Sequence, residues 1–169
     1  MNILFLDLSS KSTGWCLSSE KGEMLKWGLI PILGDNTLER IKQMTDKIVD
    51  LIKENNVGKI VAEDVHPEAY GNKSHTERVL MWLQGSVALG AHSVDTNIDY
   101  DFIEFMNSSS WRKLLGMKLG PKVKRVALKQ ADIEFVKNKY GIVANDDVCD
   151  AICLYTAYFT KPQEEYNWE

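Results

Sequence analysis

Cysteine is scarce in this chain and does not pair. Its three cysteines, Cys16, Cys149 and Cys153, are odd in number and sit among apolar or small neighbours. No Cys-x-x-Cys or mixed Cys/His spacing occurs, and the three histidines, His66, His75 and His92, are too scattered to complete a zinc site. These absences exclude a disulfide framework and a zinc centre, and they predict reduced core thiols in a cytoplasmic protein. No apolar run approaches about 18 residues and no basic-then-apolar leader is present, so neither a membrane span nor a signal peptide is expected. Repeats, low-complexity stretches and long linkers are missing too. At 169 residues and 44% hydrophobic, the sequence can bury one core but not two. One domain over residues 1–160 is expected, with a frayed tail at 161–169.

What the chain does have is acid in telling places. Asp7 follows the apolar run Ile3, Leu4, Phe5, Leu6, and Glu63 follows a second run, Ile60, Val61, Ala62. Asp147 and Asp150 stand three apart where an apolar helical segment begins. A carboxylate at the end of a core strand is costly to desolvate unless something compensates its charge. Several converging on one spot need a cation, and all-oxygen ligation suits Mg²⁺ or Mn²⁺. That chemistry points to phosphoryl transfer on a nucleic acid. Taken singly, some of these acids have ordinary explanations. Asp7 could cap the Ser-rich turn that follows it, and Asp146 and Asp147 suit the positive end of a helix capped by Asn145. Glu63 is poorly explained in this way, and Asp150 hardly at all. Asp146 also lies four residues before Asp150, so either Asp146 or Asp147 could be the ligand beside it.

Charge is unevenly spread. The net charge is −4, yet residues 112–139 carry nine Lys and Arg against two acids, a local +7 that leaves −11 elsewhere. A basic segment beside an acidic centre loaded with divalent ions fits phosphate-backbone binding, although a lysine-rich helix can also be a solvated face.

Periodicity predicts strands at 2–8, 13–18, 24–30, 59–63 and 97–104. Helices are expected from a Thr37 cap for about 18 residues, over 75–91, after a cap at Ser108, Ser109 and Ser110, from Pro121 to about 139, and from an Asn145 cap to about 159. Leu38, Ile41, Met44 or Thr45, Ile48 and Leu51 or Ile52 should form the apolar face of the first helix. Val79, Trp82, Leu83, Ser86 and Leu89 or Gly90 should form that of the second. His92 falls at a helix end. A strand meander followed by alternating helices and strands predicts an α/β fold, a mixed sheet with helices on its faces.

Order and context carry a family resemblance. Asp7 is followed by Leu8, Ser9, Ser10, Lys11, Ser12, Thr13 and Gly14; Glu63 ends the fourth strand; Asp147, Val148, Cys149, Asp150 and Ala151 open the last helix. With Leu83, Gln84, Gly85 and the stretch from Gly116 through Gly120, Pro121 and Lys122, the chain resembles the RuvC group of Holliday junction resolvases over about residues 1–158. It is most similar to the divergent phage-encoded members from Gram-positive hosts. The resemblance implies a ribonuclease-H-like five-stranded mixed sheet with helices on both faces. It also implies a crossover junction endodeoxyribonuclease that makes paired nicks in four-way and related branched DNA as a homodimer, in the cytoplasm of a host cell if phage-encoded. Asp7, Glu63, Asp147 and Asp150 would be catalytic and hold two Mg²⁺ ions, with Mn²⁺ a possible substitute. Asp7 would bridge the ions, Glu63 and Asp150 would complete one, and Asp147 would complete the other or orient the water.

Lys122 matches a family lysine near the scissile phosphate, and with Arg125 and Lys129 it would share one helix face. Lys118 and Lys124 would contact the DNA backbone. His66 takes the place of the family's aromatic wedge, usually Phe, with Tyr70 four residues on; either ring could stack on an unpaired base. The second helix would form the dimer seam. Two rivals are a non-catalytic ribonuclease-H-like DNA-binding module and an actin-like or sugar-kinase-type ATP-binding domain. The first would tolerate loss of an acid, and all four are present. The second needs two domains and a second phosphate loop, for which this chain has no Asp-Gly-Gly-type motif.

Overall fold

A computed structural model describes residues 1–64, 75–95, 98, 100–117 and 123–161. Three antiparallel strands form first: β1 (Asn2–Asp7), β2 (Ser12–Ser19) and β3 (Met24–Pro31). The turn between β1 and β2 is closed by Thr13, whose Oγ1 donates to the Ser9 carbonyl at 2.8 Å and accepts from the Ser9 amide at 3.0 Å. That closure sets the register in which Asp7 lies opposite Gly14. Helix α1 (Thr37–Glu54) then leads to β4 (Val57–Glu63), which pairs parallel to β1 on its other side. Helix α2 (His75–Val94) leads through a 3₁₀ turn at Tyr100–Phe102 to β5 (Ile103–Met106), parallel to β4. The sheet order is β3-β2-β1-β4-β5, and α3 (Ser108–Leu114), α4 (Arg125–Tyr140) and α5 (Asp146–Thr160) complete the fold. This is the expected five-stranded mixed sheet.

Strand side chains alternate between faces, so the two halves of each strand's apolar set feed two separate cores. Leu4, Leu6, Ile60 and Ala62 meet α1 and α2 through Met44, Ile48, Leu83 and Val87. Ile3, Phe5 and Val61 meet α5 through Cys149, Ile152 and Cys153, with Trp111 of α3 and Val136 of α4 alongside. The three thiols are free and buried, and burial pushes Cys16 up to about 12. Among the described residues, no helix is long and apolar enough to cross a membrane.

Several boundaries depart from the periodicity. Asn36, not Thr37, caps α1 by accepting from the Glu39 amide, and Asn107, not the serines after it, caps α3. An Asn oxygen reaches the second or third amide of the helix from just outside it. The stretch before Ile103 turns as 3₁₀ helix rather than running as strand. Helix α4 starts at Arg125, and Pro121 lies outside the described residues. Leu38 is 65% exposed, since the buried face of α1 runs through Ile41, Met44, Thr45, Ile48 and Ile52. On α2 the buried face is Val79, Leu83, Val87 and Ala91, which leaves Trp82 58% and Leu89 75% exposed.

Candidate active site

Strand register places the first two acids. Leu6 pairs with Ala62, so Asp7 and Glu63 follow side by side at the ends of parallel neighbours, on the face shared with Phe5 and Val61. Helix α5 lies across that face and begins beside Gly14. A Cβ on Gly14 would overlap the main-chain carbonyl of Asp147, so glycine is what lets the helix start this close to β2. Asn145 accepts from the Val148 amide and fixes the start of α5, from which Asp147 and Asp150 project one turn apart. Asp7, Glu63, Asp147 and Asp150 all line one cleft of about 560 Å³, with Ser12, Ser108, Arg112, Arg125 and Lys129 on its walls. Asp146 is not on that wall, so of the two alternatives Asp147 is the one that faces the cleft.

The walls position these acids one by one. Ser12 Oγ donates to Asp147 Oδ2 at 2.6 Å. Gln84, from the Leu83, Gln84, Gly85 run, donates from Nε2 to the Glu63 carbonyl at 3.4 Å. Arg112 grips Asp132 in two-pronged fashion, Nε at 3.1 Å and Nη2 at 2.8 Å from Oδ2, and Asp132 is fully buried. A buried pair of this geometry compensates both charges locally. Lys129 forms ion pairs with Asp146, with Asp147 at 3.5 Å and with Asp150 at 3.7 Å.

Electrostatically the acids are under strain. Asp7 keeps some solvent contact but is hemmed in by protein, and burial, then the charges of Glu63 and Asp147, pushes its carboxyl up to about 8. Burial, then Asp7 and Asp132, pushes Asp150 up to about 9. Glu63 is raised by burial against the pull of Arg112 and a hydrogen bond from Ser108. Buried side-chain oxygens are nearly always hydrogen-bonded, yet Asp150 Oδ1 is buried with no partner. Raised, crowded carboxylates with an orphaned oxygen suit a hard cation, and the donor set is all oxygen. Among the described residues, however, no three His, Cys, Asp or Glu side chains stand as a preformed metal cage.

Two solved structures share this arrangement of elements closely. RuvC of Thermus thermophilus, in complex with a Holliday junction substrate, matches 95% of this chain and 93% of its own at a TM-score of 0.68 and 10% identity. A second structure of Thermus thermophilus RuvC gives a TM-score of 0.67 at 12% identity, over 95% and 94% of the two chains. The fold is that of RuvC. The yeast mitochondrial Holliday junction resolvase Ydc2 shares it at a TM-score of 0.59 and 14% identity, over 94% of this chain and 77% of its own. No protein-family model and no curated protein matches the sequence.

On this RuvC fold the expected site residues divide into three groups. Asp7, Glu63, Asp147, Asp150, Arg125 and Lys129 come together in the cleft. Lys124 caps α4, exposed and away from the cleft lining. His66, Tyr70, Lys118 and Lys122 lie outside the described residues. Lys129 was expected beside Arg125 as a DNA contact, but its ammonium turns inward onto the acids. Sequence reasoning missed Ser12, Ser108, Arg112 and Asp132. The clue to Ser12 was its place in the hydroxyl-rich turn after Asp7; nothing local marked Arg112 or Asp132.

Proposed function

We propose that this chain is a divalent-metal-dependent endodeoxyribonuclease that resolves four-way DNA junctions by paired nicks, acting as a homodimer. One observation carries the reading: four carboxylates from β1, β4 and α5 converge in a single cleft of a RuvC fold, where burial and mutual repulsion weaken the acidity of Asp7 and Asp150 and one buried oxygen is left without a partner. Structures of this fold include Thermus thermophilus RuvC and the Fowlpox virus resolvase, each in complex with Holliday junction DNA, the latter at a TM-score of 0.54 and 12% identity over 94% and 96% of the chains.

Asp7, Glu63, Asp147 and Asp150 would hold Mg²⁺ or Mn²⁺. Such ions supply Lewis acidity that activates water and stabilises charge on the departing oxygen. The protein supplies placement. Ser12 fixes the rotamer of Asp147, and Arg112, held from behind by the buried Asp132, walls the site beside Glu63 and Asp150. Arg125, at the first turn of α4, offers a positive wall along which a phosphodiester can lie.

The dimer reading rests on α2. Trp82, Leu89 and Met81 are exposed along it, and Phe105, exposed on the edge strand β5, lines one hollow with Met81 and Leu89. Apolar side chains so grouped mark an interaction surface, and an isologous C2 contact would match the two-fold symmetry of a four-way junction.

The test is cleavage of a labelled four-way junction, with linear duplex as control, in Mg²⁺ and in chelator. Metal-dependent paired nicks near the branch point are expected, and Asp7→Asn should lower the rate by about 10³-fold or more, since it removes a group needed in the transition state. Asp7→Asn should still bind the junction; a folded variant that no longer binds would count against the scheme. Binding without cutting by the unmutated protein would favour a non-catalytic binding module.

A further inference from the structure

One cation already stands among the acids. Lys129, on α4, has a partly buried side chain whose ammonium bonds Asp146 and lies 3.5 Å from Asp147 Oδ1 and 3.7 Å from Asp150 Oδ2. Two of these three acids line the cleft, and the third does not. The closest of the three contacts is to the acid outside the cleft, Asp146. Meanwhile the other oxygen of Asp150 is buried and unpartnered. Acids that a metal would need are thus shared with an ammonium, and no closed cage exists among the described residues.

We propose that Lys129 is a resident counter-charge that keeps the acids together in the metal-free protein and gives up Asp147 and Asp150, withdrawing onto Asp146, when a divalent cation binds. The inference rests on the metal-site reading above. Like charges repel at this range, and an oxygen that faces an ammonium is not free to ligate a metal. Lysine suits the task because its charge is compact and its four-carbon stem is flexible, whereas a guanidinium fork would be held by its geometry. Asp146 gives the displaced ammonium a partner within the same reach, so release needs only a change of rotamer. This accounts for an acid at position 146 that the cleft does not use.

Competition of this kind lowers apparent metal affinity by the fraction of molecules in which the lysine is docked. The experiment is a calorimetric titration with Ca²⁺, on the unmutated protein and on Lys129→Met, Asp146→Asn and Asp150→Asn, paired with melting curves in chelator. Lys129→Met should bind Ca²⁺ on the order of tenfold more tightly, yet melt at lower temperature in chelator because the acids lose their counter-charge. Asp146→Asn should bind more weakly than the unmutated protein, since its lysine has nowhere to withdraw. Equal or weaker Ca²⁺ binding by folded Lys129→Met overturns the counter-charge role while leaving the metal site standing. Absence of Ca²⁺ binding by the unmutated protein and Lys129→Met alike, or binding undiminished in Asp150→Asn, overturns the metal-site reading and this inference with it. Should Lys129→Met fail to fold, Lys129→Gln keeps the length and polarity of the side chain and serves in its place.

Discussion

At Asp7 the folded chain works against its own charge. Burial and the neighbouring carboxylates favour the protonated form, and the same holds for Asp150. The sign of the resulting pH dependence follows from linkage: a carboxyl whose acidity is weakened by folding contributes most below its unfolded value of 3.8, and that contribution is lost as pH rises through about 8. Metal-free protein in chelator should therefore melt at progressively lower temperature from about pH 5 to pH 8. In Asp7→Asn the fall should be shallower, because one of the repelling charges is gone. Scanning calorimetry at fixed ionic strength reads this directly, and a flat profile for the unmutated protein would mean the acids are compensated in some other way. Asp7 and Glu63 were legible in the sequence because each closes an apolar run, where a charge has no routine place, and Asp147 and Asp150 because they stand three apart where an apolar helix begins. Lys129 was legible only as a positive residue on a helix face. Its inward turn depends on α5 lying against α4, a contact between elements that no local pattern encodes.

Among the elements, α5 is the one the site depends on most. Its residues from Val148 to Ala157 are all buried, and its first turn touches β2 through Gly14. Gly14→Ala should push the start of α5 off the sheet, displacing Asp147 from Ser12. A backbone clash of this kind costs about 3 kcal/mol or more. That corresponds to a fall in melting temperature of roughly 6–12 °C for a chain of this size. Thermal melting checks it, and a loss below about 2 °C would show that α5 can slide along β2 at little cost. Elements with one strong signal were read well from sequence: β1 as a short apolar run, and α5 from its cap and continuous apolar stretch. Helix α2 was harder, because apolar residues lie nearly all around it, so periodicity alone does not say which face is core. Trp82 fell on the assumed inner stripe and lies outside. Strand β5 was displaced from its expected span because Tyr100–Phe102 winds as a 3₁₀ turn, with Phe102 reaching into the core from it. Composition does not separate that from an extended strand.

For the molecule as a whole, the exposed side of α2 sets the question of how many cleft copies act together. If the chain is a resolvase, a single cleft would make one nick, and productive resolution of a four-way junction needs two nicks on strands related by symmetry. Two copies joined through α2 would present two clefts with the matching two-fold relation. Trp82 is the large exposed aromatic on that helix, the kind of side chain that dominates interface energetics, with about 2–4 kcal/mol lost on truncation. Trp82→Glu adds a charge that the partner's copy of the same residue would meet across the axis, so the effect should be at least as large, weakening self-association by roughly 30-fold to 1,000-fold. Trp82 belongs to neither core cluster and is 58% exposed, so the monomer should keep its melting temperature within about 2 °C, as surface substitutions usually do. Sedimentation at micromolar concentration should show a dimer for the unmutated chain and a monomer for Trp82→Glu. On a cruciform plasmid the variant should accumulate singly nicked circles where the dimer yields linear product. If Trp82→Glu sediments as a dimer and still linearises the plasmid, the two clefts are joined through another surface and α2 faces a different partner.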